Sequence, residues 1–243
     1  MEQTSRRALV TGGSGDIGGA ICRALAAQGV EVIVHGNGNL ARAQTVADAI
    51  VASGGRAHAV AFDVTDADAA RAAIEGLSAN GPIQILVNNA GIHDDAPMAG
   101  MSHTQWRRVI DVSLHGFFNV TQPLLLPMAR TRWGRIVSLS SVAAVLGNRG
   151  QANYAAAKAA LHGASKSLAR EMASRGISVN VVAPGVIAGS MTADVFSPEQ
   201  LKAMVPAGRA GMADDVAALV AFLCSPAAGY INGQIIGIDG GMS

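Results

Sequence analysis

The sequence predicts an α/β chain, a doubly wound parallel sheet of seven strands with helices on both faces. Three observations predict it. Short apolar runs alternate with longer helical patterns from end to end. The strand runs are apolar throughout, as in strands covered on both sides. A Gly-rich turn separates the first strand from the first helix, where a βαβ unit receives phosphate.

The elements follow in order. Ala8 to Val10 is a strand and Ile17 to Gln28 a helix. Val30 to His35 is the second strand and Leu40 to Ser53 the second helix. Ala57 to Phe62 is the third strand. The turn at Thr65-Asp66 opens a helix from Ala67 to Ala79. Ile83 to Val87 is a strongly apolar strand, followed by one long helical pattern from Thr104 to Arg130. Strand Ile136 to Leu139, helix Gln151 to Ser174 and strand Ser178 to Val182 come next. A looser stretch runs from Ala183 to Gly211. Helix Asp214 to Leu223 and strand Ile235 to Ile238 close the chain. No composition break divides residues 1–243, so one domain is expected.

Composition excludes several classes. Half of the 243 residues are apolar and 14% are charged, which suits a compact globule and argues against disorder. A net charge of +1 with no basic block gives no field for nucleic acid. No apolar run reaches the ~18 residues of a membrane span, and no secretory pattern is visible, so a cytoplasmic setting is expected. Cys22 and Cys224 fall on predicted helices and read as small buried hydrophobes in a reducing compartment. The six histidines show no metal-ligand spacing, so no metal is expected.

The chemistry points to Ser141 through Lys158. Tyr154 and Lys158 stand four apart on an Ala-rich helix and so share a face. A neighbouring cation favours the phenolate and lowers a Tyr pKa from its ordinary value near 10. Ser141 lies thirteen residues before Tyr154, beyond an apolar strand, where its hydroxyl can help hold a carbonyl oxygen. The pair alone is also common on surface helices; the rest of the chain gives it weight.

The Gly-rich turn is Thr11-Gly12-Gly13-Ser14-Gly15-Asp16-Ile17-Gly18. Gly12, Ser14, Gly15, Asp16, Ile17 and Gly18 are its candidate nucleotide contacts. The second strand ends in His35-Gly36-Asn37-Gly38-Asn39, with no acid to take ribose hydroxyls. Room is left for a 2′-phosphate beside Asn37, with Arg42 the nearest cation. NADPH is therefore expected, with NADH left open. Asp63 and Val64 after the third strand, and Asn89, Ala90 and Gly91 after the fourth, stand where open sheets collect ligands. Turn capping is the alternative for Asp63 and the asparagines.

Together these residues resemble the short-chain dehydrogenase/reductase family across nearly the whole chain. The marks are the first turn, Asn88-Asn89-Ala90-Gly91, Ser141 with Tyr154 and Lys158, and Pro184-Gly185. Within the family the chain looks most like 3-oxoacyl-[acyl-carrier-protein] reductases. That rests on Gly150 to Lys158, Ser167 to Glu171, Arg175 to Gly185, Val205 to Arg209 and the Asp239 to Met242 end.

The resemblance implies a Rossmann-type sheet and a homotetramer, with Gly147 to Gln151 and the C-terminal tail as interface segments. It implies that Tyr154 is the general acid, that Lys158 lowers its pKa and holds the nicotinamide ribose, and that Ser141 orients the carbonyl. Pro184, Gly185 and Ile187 would pack on the nicotinamide. Residues 190–211, with Met191, Phe196 and Met204, would form a substrate lid. Arg132 and Arg175 match positions that dock the acidic carrier protein; ordinary solvated charge is the alternative.

Three residues depart from the family pattern. Asp16 replaces the middle glycine of the turn and would repel a diphosphate unless it points away or caps the helix. Ser113 replaces an Asn whose bend in the long helix serves a proton relay near the Lys, so a looser bend is expected at this otherwise catalytic position. Gly189 replaces a Thr that often binds the carboxamide, with Ser190 a substitute. These departures keep open a non-catalytic or weakly active subunit of a mixed oligomer, and the apolar lid residues, which suit several substrates, keep open a reductase of a different ketone.

Overall fold

The computed structural model describes residues 6–189 and 197–243. Seven strands form one parallel sheet: β1 (Arg7–Val10), β2 (Glu31–Gly36), β3 (Arg56–Ala61), β4 (Ile85–Asn88), β5 (Gly134–Leu139), β6 (Ile177–Pro184) and β7 (Ile235–Ile238). Their order is β3-β2-β1-β4-β5-β6-β7. The winding reverses between β1 and β4, and at such a switch point the carboxyl ends of the strands leave a crevice.

The helices are α1 (Asp16–Ala27), α2 (Leu40–Ala52), α3 (Ala67–Ser78), α4 (His103–Ile110), α5 (Gly116–Thr131), α6 (Ala143–Leu146), α7 (Ala152–Met172), α8 (Pro198–Met204) and α9 (Ala213–Leu223). Their starts carry local signals. Asn39 accepts from the Arg42 N–H at the head of α2, and Asp66 accepts from Asp68 and Ala69 at the head of α3. Ser102 and Gln105 form a reciprocal capping box on α4.

Alternate strand residues feed two cores. Val10, Val34, Val87 and Val137 pack with the buried side chains of α1, α2 and α9. Leu9, Ile33, Leu86 and Ile136 pack with those of α3, α5 and α7. All four of these last are fully buried, and each contributes about 1.5–3 kcal/mol by leaving water.

The predicted strands and helices are all present, with ends shifted by one or two residues. The long pattern from Thr104 to Arg130 is not one α-helix. A π-helical turn, Asp111–His115, joins α4 to α5. α6 and a 3₁₀ turn at Met98–Gly100 lie in stretches the periodicity left as loops. Both free cysteines are buried, as expected, and burial pushes both thiols up to about 12. Among the described residues no helix is long and apolar enough to cross a membrane, and no cluster of His, Cys, Asp or Glu could hold a metal.

Candidate active site

A cleft of about 1300 Å³ opens over the carboxyl ends of the strands. Its nucleotide half is built mainly of backbone. Gly12, Ser14, Gly15, Asp16, Ile17 and Gly18 line it, with Asn37, Asp63, Val64, Asn89, Ala90 and Gly91. Gly12 has φ +63°, which favours glycine. A Cβ on Gly18 would overlap the Gly12 carbonyl oxygen, so the turn closes only with glycine there. This cradle, at the N-terminus of α1, fits the diphosphate of a dinucleotide.

Two side chains, Asn89 from beyond β4 and Thr11 of the turn itself, fix the turn. The Asn89 amide donates to the carbonyls of Thr11 (2.9 Å) and Gly12 (3.1 Å). The Thr11 hydroxyl accepts from the N–H groups of Asn89 and Ala90, both at 3.0 Å. Asn89 therefore braces the turn with its side chain, and Ala90 and Gly91 present the wall. Asp63 uses one carboxylate oxygen to accept from the Thr65 N–H and hydroxyl, each at 2.8 Å. Turn capping is thus real for Asp63, which still lines the cleft. At the outer end Arg42 lines the wall with Asn37 and Asn39.

The catalytic half is denser. Ser141 follows β5, and the Ser140 and Val142 N–H groups donate to the Val182 and Pro184 carbonyls of β6. Tyr154 lies in the first turn of α7, with its N–H donating to the Asn153 side chain at 2.8 Å. Asn153, fully buried, donates in turn to the carbonyls of Asp94 (2.9 Å) and Gln105 (3.2 Å). Gln151 donates to Asp95 at 2.8 Å. These bonds pin the start of α7 against the loop after β4. Asn153 escaped the sequence reading; its signal is a lone amide in an Ala-rich helical run, beside the Tyr.

The Ser141 hydroxyl is a hydrogen-bond partner of Tyr154 and favours its phenolate, but burial acts more strongly and Asp95 adds to it, so the Tyr154 pKa lies above its ordinary value. Lys158, at the spacing that favours a phenolate, does not outweigh that burial. Its ammonium is 5.8 Å from the Tyr154 ring centre and donates to the Leu139 carbonyl at 2.8 Å. Burial brings the Lys158 pKa down to about 8. At neutral pH the phenol therefore holds its proton, and the ammonium beneath it is the group closest to giving one up.

Ser113 is buried within the π-helical turn, and its hydroxyl has no hydrogen-bond partner among the described residues. A Cβ on Gly91 would stand 2.9 Å from the Lys158 Nζ and 3.8 Å from the Ser113 Oγ, so the three positions adjoin. The bend expected to loosen around Ser113 is present as that turn.

The other two departures meet in space. Gly15, not Asp16, occupies the cap position of α1, and no side chain caps this helix. The Asp16 carboxylate instead reaches towards Gly189, where a Cβ would lie 2.7 Å from its Oδ2. An acid at 16 and a side chain at 189 would compete for the same volume. Ser190, Met191 and Phe196 lie outside the described residues. In the rest of the expected lid, Met204 lines the cleft. The Ala188 N–H donates to the Gly211 carbonyl and the Gly211 N–H to the Val186 carbonyl, so a short parallel bridge joins Ile187 to Gly211.

Pro184, Gly185 and Ile187 line the cleft after β6. Gly185 packs on the backbone of Asp239, 2.7 Å from where its Cβ would be. Arg132 and Arg175 are elsewhere. Arg132 precedes β5 and Arg175 precedes β6, so both lie at the end of the sheet opposite the cleft, both exposed. The Arg132 guanidinium donates to the Ser174 carbonyl at 3.4 Å.

A seven-stranded parallel sheet with this order, a glycine cradle on α1 and the Ser141, Tyr154, Lys158 set define a short-chain dehydrogenase/reductase, and the chain belongs to that family. A family profile described as "Enoyl-(Acyl carrier protein) reductase" matches residues 13–243. The 3-oxoacyl-[acyl-carrier-protein] reductase FabG of Staphylococcus aureus (strain N315) is 46% identical over 98% of this chain and 98% of its own. The protein of that name from Escherichia coli (strain K12) is 44% identical over 100% of this chain and 99% of its own. The 3-oxoacyl-[acyl-carrier-protein] reductase of Synechocystis is 44% identical over 98% of this chain and 97% of its own. The chain is an oxidoreductase of this family, and membership implies a nicotinamide cofactor.

Proposed function

We propose that the protein reduces the 3-oxo group of an acyl thioester carried by acyl-carrier protein, using NADPH, in the cytoplasm. The observation that carries this is the pairing of the Tyr154 and Ser141 hydroxyls at the cleft above the buried Lys158. Two donors converge where a carbonyl oxygen would gain charge. The bound nicotinamide would supply the hydride. Ser141 orients the oxygen, and Tyr154, which holds its proton at neutral pH, donates it to the forming alkoxide. Lys158 holds positive charge beneath the phenol and takes the nicotinamide ribose. Asn37 and Arg42, with no acid beside them on the loop, support a 2′-phosphate and hence NADPH over NADH.

Carrier docking at Arg132 and Arg175 requires more than one subunit, because both lie at the far end of the sheet from their own cleft. A homotetramer supplies a second cleft. Exposed Phe118 and Leu126 on α5, 62% and 71% accessible, support such an assembly. The segment 190–211 would cover the acyl chain.

The test offers the purified chain a short 3-oxoacyl thioester, the matching 2-enoyl thioester and a plain ketone, each with NADPH and with NADH. Turnover of the 3-oxoacyl thioester with NADPH is expected. Reduction of the enoyl thioester alone would replace this reading with carbon–carbon double-bond reduction, the reaction the family profile's description names. Turnover of the ketone alone would leave the chemistry and remove the substrate. Cofactor binding without any turnover would favour a subunit that needs an active partner.

A further inference from the structure

The Gly-rich turn rests on a histidine buried beneath it. His35, next to last in β2, is fully buried. Its Nδ1 accepts the Gly12 N–H at 3.1 Å, and its Nε2 lies 2.8 Å from the Phe62 carbonyl. An N–H donates and a carbonyl accepts, so the ring is neutral with its proton on Nε2. The same ring packs on Phe62, with centres 4.2 Å apart.

This places the Gly12 peptide between two side chains. His35 takes its N–H from below, and Asn89 gives to its carbonyl from the side. Gly12 is also the residue at φ +63° that starts the cradle, and the Gly15 N–H donates to its carbonyl. One imidazole acceptor thus shares with Asn89 and Thr11 in setting the direction of the turn. An imidazolium has no acceptor to offer. Protonated at Nδ1, it would present a donor to the Gly12 donor and push that peptide out of line.

We propose that His35 is a positioning residue for nucleotide binding: its neutral ring holds the Gly12 peptide, and the affinity of the cradle falls when the ring takes up a proton. The inference rests on the reading of this cleft as the nucleotide site. Burial pushes the His35 pKa below its ordinary value, while the Phe62 carbonyl and Asp63 pull it up. The ring therefore stays neutral at physiological pH and titrates in acid.

The surrounding groups leave the effect to this ring. Val60 pairs with His35 across the strands, and Leu9 and Ile33 fill the same core. Arg7 and Glu31 share this side of the sheet but stand at the first residues of β1 and β2, and His58, in mid-β3 opposite Ile33, lies 3.7 Å from Glu31. Over this side, α3 buries Ala70 and Ile74 and keeps Asp68, Arg71 and Glu75 exposed. Asp16 and Arg42 stand on the cleft wall. Asp63 is the charge that acts directly on the ring.

The test is calorimetric titration of NADP⁺ into wild type, His35→Asn and His35→Leu, from about pH 7.5 down through and below the range where an ordinary imidazole gains its proton, to the lowest pH at which wild type still melts cooperatively. Asn keeps an acceptor at the Nδ1 position and cannot titrate. Near neutrality His35→Asn should bind within about threefold of wild type, and His35→Leu about tenfold more weakly for the lost hydrogen bond. As the pH falls, the wild-type affinity should drop progressively below that of His35→Asn, which is the linkage signature of one proton. Protonation of the nucleotide itself is common to all three proteins and cancels in the comparison.

Parallel pH profiles for wild type and His35→Asn would overturn the proposal, as would a His35→Leu protein that binds like wild type. Should His35→Leu fail to fold, as judged by its thermal melt, wild type against His35→Asn still decides. If wild type binds no NADP⁺ near neutrality, the nucleotide reading falls and the proposal with it. Binding with parallel profiles would sink the proposal alone.

Discussion

The two halves of the cleft are built on opposite terms. The catalytic half buries its polar groups and pairs nearly all of them: Asn153 gives to two carbonyls, Lys158 to a third, and Ser140 meets both the Lys158 carbonyl and His162. The nucleotide half is made of glycines and turn backbone, with side chains underneath as braces. A buried charge or amide is costly to leave unpaired, so the first half tolerates little change of residue type. The second half requires a backbone path and accepts any residue that leaves the path intact. Asp16 and Gly189 illustrate that tolerance: a side chain added on α1 fills the volume left by one absent after β6.

The comparison breaks most directly at Tyr154. Tyr154→Phe should lower kcat for carbonyl reduction by about 10²–10⁴-fold, the usual worth of a general acid, with NADP⁺ affinity held near wild type by calorimetry. Loss of binding alongside activity would mean that the halves are not separable. Gly18→Ala is the counterpart in the other half. Its Cβ would meet the Gly12 carbonyl oxygen, so nucleotide affinity should fall by more than about tenfold as the turn opens, while the Tyr154 environment is unchanged.

Lys158 gives a sharper contrast through pH. The folded chain keeps its proton only below about 8, whereas the ordinary value is 10.5. Between those two values the unfolded chain binds the extra proton, so this residue's effect on stability becomes more favourable as pH rises, by roughly 1.4 kcal/mol for each pH step of one across that window. Lys158→Met should therefore be inactive yet melt higher than wild type near neutrality, with the gap closing from pH 8 upward. A melting gap that does not change with pH would show that the ammonium is not penalised by burial. In wild type, carbonyl reduction should decline above about pH 8 as the ammonium is lost.

Smaller effects test the joints between the halves. Gly189→Thr alone should weaken NADP⁺ binding, because the new side chain meets Asp16. Asp16→Gly with Gly189→Thr should recover it, a coupling of about 0.5–3 kcal/mol in a double-mutant cycle. Strict additivity would separate the two positions. Ser113→Ala removes a hydroxyl that has no partner among the described residues, so stability should change by less than about 1 kcal/mol by denaturant titration.

Much of this was legible in the sequence. Periodicity and apolar strand runs located every strand and most helices, and residue spacing located the glycine cradle, Ser141, Tyr154 and Lys158. What escaped depends on contacts between distant segments. His35 reads as the last residue of a strand, and only the approach of β1 and β3 makes it a brace for Gly12. The raised Tyr154 pKa could not be read from an i,i+4 spacing, because it comes from burial and from Asp95 on another loop. Periodicity alone missed the π-helical turn, because a period of 3.6 continues past it without a visible break, and only the family resemblance pointed to a bend at Ser113.

The short bridge between Ile187 and Gly211 has a consequence for how the protein can diversify. Between these two feet the chain is held again where Val205 is buried and the Ala207 N–H donates to the Gly240 carbonyl, so residues 205–207 are a third fixed point. Lengthening a flexible closed loop is cheap, about 0.6 kcal/mol per doubling. Length changes are therefore expected to be tolerated best beside exposed Arg209, between the Ala207 contact and the second foot, and least at Val205. The segment is tied to the C-terminal tail, and a change that shifts Val205 is felt at Gly240.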